Sequence, residues 1–304
     1  MYGKQRRNLL NESNPLVMLI ALNLILFVIL NFIQIAYLLG NSELYEYETE
    51  VLHHFTMPGN FTSFLYKPWT FFTNIFVHNG IWQLIGNMLF LWGFGFLLQD
   101  LAGEKHTAPL YLYGGWIGAI IWILSLNTIP AFSTEADLLV LSGSGAAVMA
   151  IAVAGTMLAP QYRVFPLIGG GIPIWIITLI YILIDFAGLA GKAFPFHLSH
   201  LAGAAIGVFY IFSLRKGIDP GKPLHQLYNT ALNLFSPNQR KKNKLKVVKD
   251  DYFYDTKGAK PFHKKPNITQ KRIDELLDKI NQQGLEALTE EEKDFLKKAG
   301  TDVT

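Results

Sequence analysis

Six long apolar runs alternate with polar segments over the first 214 residues of the chain. A membrane-spanning helix needs about 20 predominantly apolar residues. The pattern therefore predicts an all-α, polytopic membrane protein with six spanning helices. The fourth run is short for a span, because Pro160 ends it after about 16 residues. The runs lie at about 15–39, 79–99, 108–127, 143–159, 172–190 and 197–214.

Composition supports a membrane protein and excludes several kinds of site. Charged residues make up 16% of the chain, against about 25% in ordinary soluble domains. The absence of cysteine excludes disulfides, thiolate metal sites and a cysteine nucleophile. A net charge of +3 is too small to suggest nucleic acid as a partner. We expect no cofactor and no metal, and the bilayer itself is the first partner.

The sequence divides into four segments. We predict a cytoplasmic N-terminus at 1–14, a six-helix membrane domain at 15–215, a linker at 216–266 and a helical hairpin at 267–304. In the last segment, Ile273, Leu276, Leu277 and Ile280 follow the spacing of an amphipathic helix, and Gly284 is its expected end. Thr289 to Glu292 form a capping box for a second helix. The sequence does not identify what this small soluble hairpin binds.

Basic residues in short loops predict the orientation, since such loops face the cytoplasm. Lys4, Arg6 and Arg7 precede the first run, Lys105 and Arg163 lie in the second and fourth loops, and Arg215 and Lys216 follow the sixth run. The first and third loops are acidic, and only Lys67 and Lys192 disagree. Both termini are therefore expected in the cytoplasm, with the second, fourth and sixth helices running inward.

Polar residues lie near the starts of these three inward helices. Ser144 opens the fourth helix between Gly143 and Gly145, His200 lies near the start of the sixth, and Gln83 and Asn87 lie one turn apart on the second. The topology places them at one depth. Intramembrane polar groups are costly and mark functional sites, although a serine can instead bond a backbone carbonyl and a histidine or amide can bond across helices.

A serine nucleophile needs a base within hydrogen-bond reach. His200 is the candidate base, and Asn87 and Gln83 could donate to a developing oxyanion. Asp100 and Asp185 lie at other positions, so we predict a serine–histidine dyad without a carboxylate. Small residues at i, i+4 spacing predict close helix packing, at Gly114 and Gly118 and at Gly203 and Gly207.

The chain has six predicted helices, a Gly-x-Ser-Gly-like element at Ser144, the motif His-x-x-Gly-x-x-x-Gly from His200 to Gly207, and Asn87 in a His-x-x-x-Asn-like position. In these features it resembles the rhomboid intramembrane serine proteases. The resemblance covers about residues 15–215. Segments at 146–154, 159–166 and 170–173 look like its Bacteroidetes-type branch, as does the C-terminal helical tail. The resemblance thus implies an integral protein of a bacterial inner (plasma) membrane.

The resemblance implies Ser144 as nucleophile, His200 as base and Asn87 as oxyanion donor, with His197 secondary. Two departures leave an alternative open. Gln83 stands where the family usually has a histidine. An ungapped match to the residues that follow the nucleophile places Gly145, rather than Ser144, at its position.

Two functions follow from this resemblance. The first is an intramembrane serine endopeptidase that cleaves transmembrane substrates near the outer leaflet. The second is a catalytically inactive relative that binds client transmembrane helices. A small-solute transporter is weakly supported, because no internal repeat and no intramembrane charge pattern typical of transporters is evident.

Overall fold

A computed structural model describes residues 14–40, 43–165, 170–235 and 270–301. The chain forms two compact units, residues 1–237 and 238–304. Residues 1–13 of the predicted N-terminal segment, residues 236–266 of the predicted linker and residues 267–269 of the predicted hairpin lie outside the described residues.

The first unit begins with a long apolar helix followed by a structured loop. Asn14 caps the start of the first helix, since its side-chain oxygen accepts a hydrogen bond from Leu16 N at 2.9 Å. The polar, aromatic segment that follows contains three short helices and a strand. The elements are α1 (Pro15–Leu39), α2 (Leu44–Glu50), β1 (Met57–Pro58), α3 (Phe61–Tyr66) and α4 (Thr70–Thr73).

The remaining five apolar runs are helices, as predicted. By length and composition, four helical segments of the described chain suffice to cross a membrane, 15–39, 81–102, 104–128 and 194–215. The other two apolar helices have 14 and 15 residues. The predicted all-α membrane bundle is therefore confirmed. Its further elements are α5 (Ile81–Ala102), α6 (Thr107–Thr128), α7 (Pro130–Ser133), β2 (Val140–Leu141), α8 (Gly145–Leu158), β3 (Arg163–Val164), β4 (Ile172–Pro173), α9 (Ile174–Gly188), α10 (Phe194–Arg215) and α11 (Lys222–Phe235).

Helix α8 is the centre of the bundle. Every residue from Gly145 to Gly155 is buried, and the neighbouring helices reach it through glycines. A Cβ atom on Gly114 or Gly118 of α6 would collide with Ala150 or Ala146 of α8, and Gly203 and Gly207 of α10 meet the carbonyl oxygens of the same two alanines. The small-residue spacing therefore does bring helices together as predicted. Since α8 cannot move without displacing α6 and α10, its first residues are firmly positioned.

Buried amides fix α1 to this bundle. Asn14 and Gln99 of α5 exchange two side-chain hydrogen bonds, at 3.1 and 2.9 Å. Asn23 donates to the Tyr111 hydroxyl of α6 at 3.1 Å, and that hydroxyl donates to Ile75 O at 2.9 Å. Buried polar groups paired in this way specify which helices meet.

The second unit contains α12 (Gln270–Gln283) and α13 (Glu290–Thr301). Gly284 ends α12 with a φ of +82°, as expected for a helix stop. The predicted capping box is present, because Glu292 N donates to Thr289 Oγ1 at 3.3 Å and Thr289 N donates to Glu292 Oε2 at 3.0 Å. Leu276, Leu288 and Phe295 form a small buried cluster. Helix α11, by contrast, lies inside the segment assigned to the linker.

Candidate functional site

The loop that carries Ser144 is held from several sides. Strand β2 ends at Leu141, one residue before the loop, and pairs with β1 through Met57 opposite Leu141 and Pro58 opposite Val140. Gly143 has a φ of +108°, a conformation that side chains with a Cβ rarely adopt. Its N–H donates to Asn74 O at 2.9 Å. The loop therefore enters α8 in one defined path.

Ser144 is the last residue before α8 and is completely buried. It does not cap the helix with its side chain. Instead, Ser144 Oγ lies 3.2 Å from the Nε2 atom of His78, a residue in the loop that precedes α5. Sequence reasoning missed His78, because it lies outside the periodic helical segments.

His78 joins Ser144 to Asn87. The Asn87 side-chain amide lies 3.1 Å from the same Nε2 atom. An amide NH₂ group only donates, so with the amide in this orientation Nε2 accepts and the ring proton is on Nδ1. Burial lowers the pKa of His78 to about 4, which keeps the ring neutral near pH 7. Ser144 and Asn87 therefore both direct their hydrogens at one neutral imidazole.

His200 lies on the other side of the start of α8 and faces Gly145. A Cβ atom on Gly145 would lie 2.6 Å from His200 Cε1 and 3.0 Å from Cδ2, and closer still to Nε2. The imidazole therefore fills the space in which a side chain at position 145 would stand. Among the hydrogen bonds of the described residues, none joins His200 to Ser144.

A carboxylate from α9 orients His200. Asp185 Oδ1 lies 3.0 Å from Nδ1 of His200 and 2.8 Å from Nδ1 of His197. The expectation that His200 has no carboxylate partner is wrong. The partner, Asp185, lies on α9 rather than on α5, α8 or α10, which carry the predicted site residues. The signal was present, since Asp185 is the one charged residue in the apolar run 172–190, and a charge there is rarely left unpaired.

The structure brings all five sequence-predicted residues to one end of the bundle, and four of them fall into two groups. Ser144 and Asn87 meet at His78, while His200 and His197 share Asp185. The Gln83 amide is bonded to the loop, because Nε2 donates to Ser142 O at 3.1 Å and Oε1 accepts from Asn79 N at 3.2 Å. Within the described ranges, no cluster of three or more His, Asp or Glu side chains could hold a metal.

Comparison with known proteins identifies the family. A model of the rhomboid domain matches residues 66–217, half of the chain. This protein belongs to the rhomboid family. The match extends from the end of α3 to just past α10, so it includes every residue of both groups.

A curated rhomboid and a second family model add detail. Rhomboid protein 1, mitochondrial, of Saccharomyces cerevisiae is 26% identical over 151 residues, which are 47% of this chain and 41% of the yeast protein. The chain therefore spans about two fifths of the length of that relative. A second model, for a family of unknown function named DUF6576, matches residues 261–299, and these include most of the C-terminal hairpin.

Proposed function

We propose that this rhomboid is catalytically inactive and binds client transmembrane helices without cleaving them. The observation that carries the proposal is the position of His200 against Gly145. A serine protease needs a hydroxyl within hydrogen-bond reach of the base. The residue that His200 faces has no side chain.

The packing around His200 supports the same conclusion. Asp185 holds the ring on one side, and the Phe196 ring lies 4.4 Å away, centroid to centroid. Protein interiors are close-packed, so any side chain at position 145 requires this ring to shift. The site is thus adapted to a glycine at position 145, and the serine one residue earlier has its own partner in His78.

Client binding requires an apolar surface that faces lipid. A groove of about 370 Å³ lies between α1 and α5, and its lining is entirely apolar. Several of its residues are large and exposed, including Ile85, Leu89 and Trp92. Such a groove suits packing of a helix through van der Waals contact, which drives association in membranes. Clients, rather than substrates, are the expected transmembrane partners, and the partner of the tail is not identified.

A second candidate, the serine endopeptidase, rests on a different observation. Ser144 Oγ lies 3.2 Å from a neutral imidazole nitrogen of His78, which is the geometry of a serine and its base. In this version His78 replaces His200 as base. Among the described residues, no carboxylate is bonded to His78; its pKa is affected by burial and by a backbone hydrogen bond with Phe76.

Labelling with a fluorophosphonate that reacts with activated serines separates the two functions. The purified full-length wild type should be labelled no more strongly than the Ser144→Ala variant. Labelling of the wild type that is lost in Ser144→Ala would overturn the proposal. In that case, loss of labelling in His78→Ala but not in His200→Ala would identify His78 as the base of Ser144. Loss in His200→Ala but not in His78→Ala would identify the Ser144–His200 dyad predicted from sequence.

The membrane orientation and the segment boundaries are part of this proposal. The loop charges support an orientation with both termini in the cytoplasm and the site near the outer leaflet, and the proposed membrane is the bacterial inner membrane. Reporter fusions after residue 60, after residue 105 and at Thr304 should then read outside, inside and inside. A tail that reports outside would contradict this orientation. The membrane domain is proposed to be 15–215, followed by the linker 216–266 and the hairpin 267–304.

A further inference from the structure

We propose that helix α11 lies in the plane of the membrane, in the interface of the protein's own bilayer, on anionic headgroups. This inference concerns a surface remote from Ser144 and His200 and is independent of the proposed function. It rests on the pattern of α11, the exposure of its apolar face, its anchorage and the surrounding charge.

Helix α11 has 14 residues with one apolar and one polar face. Leu224, Leu227 and Tyr228 stand at i, i+3 and i+4. The opposite face carries Gln226, Asn229 and Thr230. A strongly amphipathic helix of low net hydrophobicity is typical of segments that lie in a membrane interface.

The apolar face is uncovered in the first unit. Leu227 and Tyr228 are 65% and 63% exposed, and Ile218, just before the helix, is 61% exposed. Exposed apolar groups of this size cost free energy in water. Tyrosine, with an apolar ring and a polar hydroxyl, favours the headgroup region.

The start of α11 is fixed at the end of the spanning helices. It begins seven residues after α10 ends at Arg215, and Asp219 in this connection accepts from Lys105 Nζ at 3.1 Å and from Gly221 N at 2.9 Å. His225 Nε2 lies 2.9 Å from Lys105 O, and Tyr113 donates to Pro220 O at 3.1 Å. Since Lys105 lies between α5 and α6, these bonds hold α11 at the membrane boundary.

The residues before and after α11 in the sequence are rich in positive charge, which favours an anionic membrane surface. Arg215, Lys216 and Lys222 precede or open the helix, and Lys216 extends its cation over the Phe212 ring at 4.3 Å. Beyond the helix, residues 240–249 contain six Lys or Arg and no acidic residue. Basic residues near an anionic membrane are attracted to its headgroups. Amphipathic burial and this attraction together favour the bilayer as the occupant of the apolar face.

The absence of cysteine from the sequence permits a clean test. Single cysteines replace Leu227 and Tyr228 on the apolar face, and matched controls replace Gln226 and Asn229 on the polar face. Each full-length variant carries a nitroxide label and is placed in nanodiscs of phosphatidylcholine mixed with phosphatidylglycerol. Electron paramagnetic resonance then measures collision with oxygen, which concentrates in lipid, and with a water-soluble nickel chelate.

The proposal expects a several-fold higher ratio of oxygen to nickel collision at 227 and 228 than at 226 and 229. It also expects this ratio to fall in nanodiscs of phosphatidylcholine alone. Free access of nickel to all four positions would overturn the proposal, because the face would then be in water. Protection of 227 and 228 from both reagents would also overturn it, since a second copy or the C-terminal hairpin would then cover the face. An unchanged ratio without phosphatidylglycerol would overturn the anionic preference.

Discussion

Two buried histidines flank the start of α8, and their surroundings differ in an instructive way. His200 has an orienting carboxylate, Asp185, at 3.0 Å, but it faces a glycine. His78 has a serine hydroxyl at 3.2 Å, but in the described part of the chain no carboxylate is bonded to it. A serine protease combines nucleophile, base and orienting group on one histidine. In this chain the same parts are divided between two histidines, and under the proposed function the site keeps these residue types without carrying out the reaction.

Placing a hydroxyl beside His200 should have the largest effect. Gly145→Ser adds the missing nucleophile to a base that is already oriented, although the His200 ring must first give way to the new Cβ. We expect fluorophosphonate labelling to rise from background by at least about a hundredfold, because a positioned base contributes about 10²–10⁴. The measurement is the rate of labelling in detergent.

Gly145→Ala is the matched control for this change. It introduces the same steric demand on His200 without a hydroxyl, and should remain unlabelled. Should Gly145→Ser also fail to label while folding normally, the interpretation of His200 as an oriented but unused base would be wrong.

Removing the charge of Asp185 in the Gly145→Ser protein should reverse most of that gain. Asp185→Asn keeps the shape of the side chain but no longer stabilises a protonated His200, so labelling should slow by about a hundredfold. Asp100→Asn, at an exposed position near the other end of α5, serves as control. Equal rates with and without Asp185→Asn would show that the carboxylate only packs.

Acid should weaken the fold through His78. The pKa of this residue is about 4 in the folded protein, against 6.5 for an unperturbed histidine. Below pH 6.5 the unfolded chain binds a proton that the folded chain does not, so stability should fall by up to about 1.4 kcal/mol per pH unit until pH 4. Unfolding measured across this range should lose that slope in His78→Gln and keep it in His54→Gln. If the pH dependence of stability persisted in His78→Gln, another group would be responsible for it.

The smallest expected effect concerns Ser144 itself. In the proposed function its hydroxyl is structural, so Ser144→Ala should cost only about 1 kcal/mol of stability through the lost buried hydrogen bond. Client binding should be unchanged. Ser133→Ala, at an exposed position, should cost less. Loss of client binding without loss of stability in Ser144→Ala would show that Ser144 takes part in binding, and would contradict a purely structural role for its hydroxyl.

The fold was accessible from sequence because it depends on repeated local signals. The apolar runs predicted all six helices, and the spacing of Gly203 and Gly207 predicted that α10 packs closely against another helix, which is α8. The capping box from Thr289 to Glu292 predicted the start of α13. Each of these features depends on residues that are near one another in the chain.

The site was only partly accessible, because it depends on how elements rotate and meet. Sequence predicted that Ser144 and His200 approach one another, and His200 does lie against Gly145, the residue that follows Ser144. A rotation of one residue, about 100° on a helix, nevertheless decides that His200 faces Gly145. His78 lies in a loop, where no periodic pattern marks it. Asp185 lies on α9, and the sequence does not show which neighbouring helix that side of α9 faces.

The length of α9 has a consequence for the bilayer itself. Its 15 residues extend about 22 Å at 1.5 Å per residue, whereas the hydrocarbon core is about 30 Å thick. Leu179, Ile180 and Leu183 on this helix are exposed. Lipids beside α9 must therefore compress to match it, at a cost of fractions of a kcal/mol per Å. The protein should accordingly gather in thin regions of membrane and favour neighbours whose own hydrophobic segments are short.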